Sequence, residues 1–220
     1  DAITLTGTNA ADDTLIGGAG DDTLKFTAAL SDADTVTGGA GEDTLSGVSA
    51  DLVALTTSNK VTGIEAITVS DSHDGSLTTA TVGSDIDTVT LSAGAGTANG
   101  ITFGSGDATL NLGTDNAATM VVNDTGAGTA NTLTINALKA DDSFSAEDTT
   151  INGFETVNIN VTAVDADNTV GVFTIVGDSD ADGVQTAATV NISGAGDFVF
   201  DTNDEFNIGA VRCFASTSTR

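Results

Sequence analysis

Two nine-residue segments, Gly17 to Lys25 (GGAGDDTLK) and Gly38 to Ser46 (GGAGEDTLS), follow one pattern: G-G-x-G-x-D-x-apolar-x. Each is preceded by a degenerate copy in the same register, Thr8 to Ile16 and Ala29 to Thr37. A glycine-rich turn followed by one carboxylate and one apolar side chain on a very short strand leaves few ways to fold. The glycines reach φ > 0 without a Cβ clash, so the backbone turns tightly and aims carbonyl oxygens inward. A strand this short cannot bury its apolar residue alone and has to stack on copies of itself, which predicts a parallel β-roll.

The sixth position of each copy is an aspartate: Asp13, Asp22, Asp34 and Asp43. The eighth is the inward apolar residue: Leu15, Leu24, Val36 and Leu45. If turns alternate sides of the roll, the first and third copies stack on one side and the second and fourth on the other. Carboxylates and carbonyls at those corners are hard oxygen ligands of the kind that Ca2+ takes. The spacing therefore places calcium between Asp13 and Asp34 and between Asp22 and Asp43, with Gly18, Gly20, Gly39 and Gly41 shaping the turns. The extra residues Phe26 to Ala28 interrupt the register and are expected to bulge from one edge.

The charge balance points the same way. The chain carries 5 basic against 32 acidic residues, a net charge of −27. Such a charge opposes nucleic acids and anionic membranes, which need a basic face. It also repels itself in any compact state unless cations neutralise it. Disorder goes with low hydrophobicity, whereas 39% of these 220 residues are hydrophobic and only 17% are charged. No run is apolar enough to span a bilayer as a helix. The single cysteine, Cys213, excludes an internal disulfide.

After Ser46 the glycine turns stop, but short apolar–polar alternations continue to Phe200, for example Leu133/Ile135 and Val157/Ile159/Val161, with Thr, Asn and Ser (Thr132, Thr134, Asn136) outward. This period-two pattern predicts half-buried strands, and no amphipathic helix is evident. VTGIEAITV (61–69) matches INGFETVNI (151–159), and GAGTAN occurs at 94–99 and 126–131. The reading is an all-β chain in two parts: a calcium-binding β-roll over 1–46 and a Thr/Ala/Asn-rich β-solenoid over 47–220. A β-sandwich after residue 50 is the alternative, since it too shows short strands with frequent turns. Glu65 and Glu155 occupy the same place in the repeated motif and are expected to accept backbone N–H bonds from a neighbouring turn.

Other candidate chemistry is thinner. Asp178, Asp180 and Asp182 with Gly183 open like a calcium loop, but position twelve is Thr189 rather than the glutamate of an EF-hand. DSHDG (71–75) and DTNDE (201–205) are weaker acidic turns. His73, the only histidine, reads as a solvated side chain with no serine placed beside it by the sequence and no zinc partners. No nucleophile elbow, phosphate-binding loop or dinucleotide fingerprint occurs, so the chain reads as no enzyme.

The nonapeptides resemble those of the RTX (repeat-in-toxin) superfamily. LTGTNAADDTL, TVTGGAGEDTL, VTGIEAITV and TANTLTIN resemble the RTX-type surface-layer proteins of Gram-negative bacteria, of the Caulobacter kind. The resemblance implies type I secretion, an extracellular or cell-surface location, and calcium-dependent assembly of a β-solenoid into a lattice or filament. It implies a homo-oligomer, with a cell-surface polysaccharide as a further candidate partner, and calcium carboxylates at Asp13, Asp22, Asp34 and Asp43. The anchoring domain and C-terminal secretion signal of such a protein are not evident, so the chain reads as a processed piece or part of something longer. A second reading is a non-catalytic calcium module of a larger secreted enzyme or adhesin. A third, an ice- or glycan-binding Thr ladder, needs outward Thr pairs in register, at which Thr88/Thr90 and Thr132/Thr134 hint.

Overall fold

In the computed structural model, the described residues are 2–5, 12–27, 30–56, 58–104, 106–114, 119–125, 130–138, 148–161, 167–170, 173–176, 188–194, 197–200, 206–208 and 212–215. They form a parallel β-solenoid. Successive passes of the chain lay one strand each on a ten-stranded sheet, which begins with Ala2–Leu5, Thr23–Phe26, Thr44–Gly47, Ala66–Val69 and Thr88–Leu91. It continues through Ala108–Leu112, Thr132–Ala137, Thr156–Val161, Thr189–Gly194 and Arg212–Ala215. The return strands form a three-stranded sheet (Thr14–Ala19, Thr35–Ala40, Val61–Thr62) and a six-stranded one that starts at His73–Thr78 and Ala95–Phe103.

Every strand pairing among the described residues is parallel, on both sides of residue 50. An antiparallel sandwich in the second part is thereby excluded. Thr44–Gly47 pairs directly with Ala66–Val69, so the long sheet runs on past the last glycine turn. The alternation of turns is as the spacing predicts: Leu15 pairs with Val36 on one side, Leu24 with Leu45 on the other.

The reason for this coil is the narrow interior. Each strand sends in one to three apolar side chains of modest size, and rung after rung they stack into one core: Leu24, Leu45, Ile67, Val89, Leu110, Ile135 and Ile159 along the long sheet. Leu77, Ile101, Val122, Ile151 and Ile175 face them from the six-stranded sheet. Phe26 corrects one expectation. It does not bulge but ends the strand Thr23–Phe26, pairs with Leu5 and is buried. A phenylalanine finds more apolar contact under a rung than in a loop.

The repeated nonapeptide 61–69/151–159 is the corner between the two sides. Val61–Thr62 and Thr149–Asn152 are return strands. Gly63 and Gly153 then take φ of 58° and 87°. Ile64 and Phe154 plug the corner, and Glu65 and Glu155 lead into the next long-sheet strand. Phe154 also meets Phe103 edge to face, ring centroids 6.5 Å apart, the arrangement aromatic quadrupoles favour. Two short helices that no sequence periodicity announces, Ser49–Ala54 and Thr79–Val82, occupy coil corners and tuck Leu52 and Val82 into the core. They are too short to show a helical pattern.

Truncating Leu110 to alanine, in the middle rung with no room to collapse, is expected to cost about 2–5 kcal/mol in urea-induced unfolding. A loss below 1 kcal/mol would mean the rung interior is looser than described.

Candidate functional site: the glycine–aspartate corners

The backbone hydrogen bonds of a parallel sheet end where the strand ends, and the corners need other acceptors. Here carboxylates supply them from the neighbouring rung. Asp13 N–H donates to Asp34 Oδ1 at 2.9 Å, and Asp22 N–H to Asp43 Oδ1 at 2.7 Å. One rung on, Asp43 N–H donates to Glu65 Oε2 at 2.8 Å. Asn131 N–H reaches Glu155 Oε2 at 2.6 Å. Glu65 and Glu155 thus hold the previous rung, as the repeat suggests. Asp51 and Asp71 do the same for Leu30 and Ser49, while Asp21, Asp32 and Asp107 accept from the following rung at Glu42, Thr56 and Thr132. Charge-assisted bonds of this kind are shorter and stronger than neutral ones. Much of the acidity therefore clamps rungs together.

The four nonapeptide aspartates are not equivalent. Asp34 uses Oδ1 on Asp13 N–H and Oδ2 on Ser31, from both its N–H (2.7 Å) and its hydroxyl (3.2 Å). Asp43 uses only Oδ1, its side chain is 0% exposed, and its Oδ2 is buried with no hydrogen-bond partner. A buried carboxylate oxygen without a partner costs on the order of 1–3 kcal/mol or more.

The glycines explain what surrounds that oxygen. Gly18, Gly20, Gly39 and Gly41 all have positive φ, between 103° and 141°. At Gly39 a methyl group would also run into the carbonyl of Gly18 on the previous rung. Gly38 and Gly17 lack that φ but sit against oxygens. A Cβ on Gly38 would lie 2.5 Å from Asp43 Oδ2 and against the carbonyl of Gly63. A Cβ on Gly17 would lie 2.8 Å from Asp22 Oδ2 and 2.6 Å from the carbonyl of Gly38. The same oxygen pair, one carboxylate and one carbonyl from the next rung, therefore recurs on successive rungs around a bare Cα. The role of Gly63, at the corner of the other repeat, is not visible in the nonapeptide alone.

Among the described residues no three Asp, Glu, His or Cys side chains converge on one point. An ion at this corner would be held by carboxylates in partnership with main-chain carbonyls, a donor set that suits a hard cation. Asp178, Asp180, Asp182 and DTNDE lie outside the described residues.

His73 overturns its expected role. It is buried rather than solvated, and the fold brings a serine to it from 24 residues away: Ser49 Oγ lies 3.0 Å from Nδ1. Nε2 faces the carbonyl of Gly100 at 3.3 Å. Since that carbonyl can only accept, Nε2 carries the proton and Nδ1 is an acceptor; the single Ser49 hydroxyl proton has two acceptors in reach, Nδ1 and the Asp74 carbonyl at 3.1 Å. Ser49 Oγ in turn accepts Asp74 N–H at 2.9 Å. The pair joins the first helix to the strand His73–Thr78, and both side chains are buried. Burial lowers the His73 pKa below 6.5, against the raising effects of Gly100, Asp74 and Asp71.

Comparison with known proteins returns no matching family model, no similar curated protein and no similar solved structure.

Two outcomes follow from this geometry. Gly39→Ala meets both a left-handed φ and a carbonyl, and is expected to lower stability by more than about 1 kcal/mol. Thermal denaturation measures it, with Gly106→Ala, where a methyl would meet nothing, reporting the cost of positive φ alone. Because the native pKa of His73 is depressed, the unfolded chain takes up the proton first. Its contribution is complete above 6.5 and is lost as pH falls below that value toward the lower native pKa. The melting temperature of the parent should therefore fall more steeply below pH 6.5 than that of His73→Gln, and parallel pH profiles would contradict the assignment.

Proposed function

We propose that the chain is a calcium-binding structural solenoid of the RTX kind that assembles with copies of itself outside the cell. One observation carries the reading: Asp43 Oδ2, buried without a partner beside the Gly63 carbonyl, in a turn whose glycines bring carbonyls to the same corner. Asp22 and Asp43, with the carbonyls of Gly38 and Gly63, would hold the ion. Bound Ca2+ supplies positive charge and oxygen-coordinating capacity where two rungs' carboxylates meet. In a chain of net charge −27 this relieves repulsion between corners and ties cation binding to coil formation. Extracellular calcium modules work at roughly 10⁻⁴–10⁻³ M, which matches a site with few charged ligands. Secretion by the type I route and a surface-layer or filament role follow from the resemblance of the nonapeptides. The rest of the solenoid supports a scaffold: its conspicuous polar network, Ser49–His73, is buried as a joint between elements.

The test is calcium titration of the parent and of Asp43→Asn, followed by calorimetry and circular dichroism. Asp43→Asn should weaken binding by at least about tenfold, ~1.4 kcal/mol. Asp34→Asn, whose carboxylate is already saturated by hydrogen bonds, should change calcium affinity less. Equal affinities for parent and Asp43→Asn, or no heat and no spectral change in the parent, would remove the reading.

A further inference from the structure

The outward columns of the ten-stranded sheet are free of charge over seven successive rungs. The pairing register places Thr44, Ala66, Thr88, Thr109, Thr134, Asn158 and Asn191 in one column. Two positions along each strand lies a second column, which opens after the buried Ser46: Thr68, Thr90, Asn111, Asn136, Asn160 and Ser193. No carboxylate or ammonium occurs in either, although the chain holds 32 acidic residues.

The second column is also stitched together. Asn111 Nδ2 donates to Thr90 Oγ1 at 3.1 Å, Asn136 Nδ2 to Asn111 Oδ1 at 2.8 Å, Asn160 Nδ2 to Asn136 Oδ1 at 3.0 Å, and Ser193 Oγ to Asn160 Oδ1 at 2.6 Å. Asn191 Nδ2 donates to Asn158 Oδ1 at 2.8 Å in the first column. Polar groups that already have partners within the face lose little when water is removed from it. The stitched side chains are also held in one geometry before any contact, which lowers the entropy cost of docking.

We infer that this face is where a second copy of the chain docks, sheet face against sheet face; the inference rests on the self-assembly reading above. Three observations select a second copy. Like charges facing each other across an interface cost several kcal/mol, so two chains of charge −27 meet best where neither presents a carboxylate. The partner must match a ladder repeating every ~4.8 Å, and a second solenoid has that period by construction. Six full rungs at ~4.8 Å by five residues at ~3.3 Å give about 475 Å² per copy, or about 950 Å² in all, close to the ~1,000 Å² that a specific interface needs. The opposite side is less suitable. It is divided into three- and six-stranded sheets, and Gly100 leaves a gap in its column between Ser76 and Val121.

The experiment is sedimentation velocity of the full chain in calcium over a wide concentration range. It compares the parent with Thr90→Asp/Asn158→Asp and with Ser76→Asp/Ala80→Asp. The first pair places two carboxylates on the face while keeping acceptors for Asn111 and Asn191. The second adds the same charge away from it. Circular dichroism and calcium titration of the same samples establish folding and ion binding, and the isosteric Asn158→Asp alone serves if the double variant does not fold. The expected result is association of the parent and of the control pair, with the face variant's dissociation constant raised at least about tenfold. Association of the face variant equal to the parent's overturns the face and leaves self-assembly standing. A parent that is monomeric throughout while binding calcium overturns self-assembly and this inference together, leaving the cation site. A monomeric parent captured by a neutral glycan, and released by the face substitutions, assigns the face to a polymer instead.

Discussion

Parallel rung-on-rung hydrogen bonding is the interaction on which this molecule depends. Each rung satisfies its backbone only by lying on the next, so no rung is stable alone and the pairing has to continue through every corner. Strands manage this along their length. At the corners the continuation is made by carboxylates: Asp34, Asp43, Glu65 and Glu155 each accept the N–H of a residue on the previous rung. An acidic composition that would otherwise oppose folding is in this way built into the ladder.

The same device creates the candidate ion site. A carboxylate that gives one oxygen to the neighbouring rung has a second oxygen to place. Asp34 places it on Ser31. Asp43 Oδ2 has no such partner; the bare Cα of Gly38 and the carbonyl of Gly63 lie beside it. Electrostatics then favours a cation where a hydrogen-bond donor is missing. Glu155 Oε1 is likewise buried without a hydrogen-bond partner, but of the two only Asp43 lies in a full glycine nonapeptide.

The two flat faces carry the complementary half of the design. With acids gathered at the corners, the strands present Thr, Asn and Ser, whose side chains bond along the columns. A highly charged molecule thus keeps a neutral, rigid surface, which a uniform scatter of its carboxylates would not allow.

Much of this is legible in the residues. The nonapeptide spacing announces the roll, its alternating stack and its inward residues Leu15, Leu24, Val36 and Leu45, because glycine conformations and strand alternation are local properties. The repeated Glu65/Glu155 motif announces a corner for the same reason. The glycine pattern already sets Asp22 and Asp43, in full copies, apart from Asp13 and Asp34, in degenerate ones; only the tertiary structure shows what the difference does, with Ser31 bonding Asp34 while Asp43 Oδ2 lies beside bare Gly38 and the Gly63 carbonyl. The burial of His73 against Ser49, the burial of Phe26 and the alignment of Thr and Asn into uncharged columns were likewise decided by the coil. Rung lengths vary, from 21 residues between Asp22 and Asp43 to 33 between Asn160 and Ser193. Which residues become neighbours across such unequal turns is set by core packing and hydrogen bonding between rungs, not by any spacing within one.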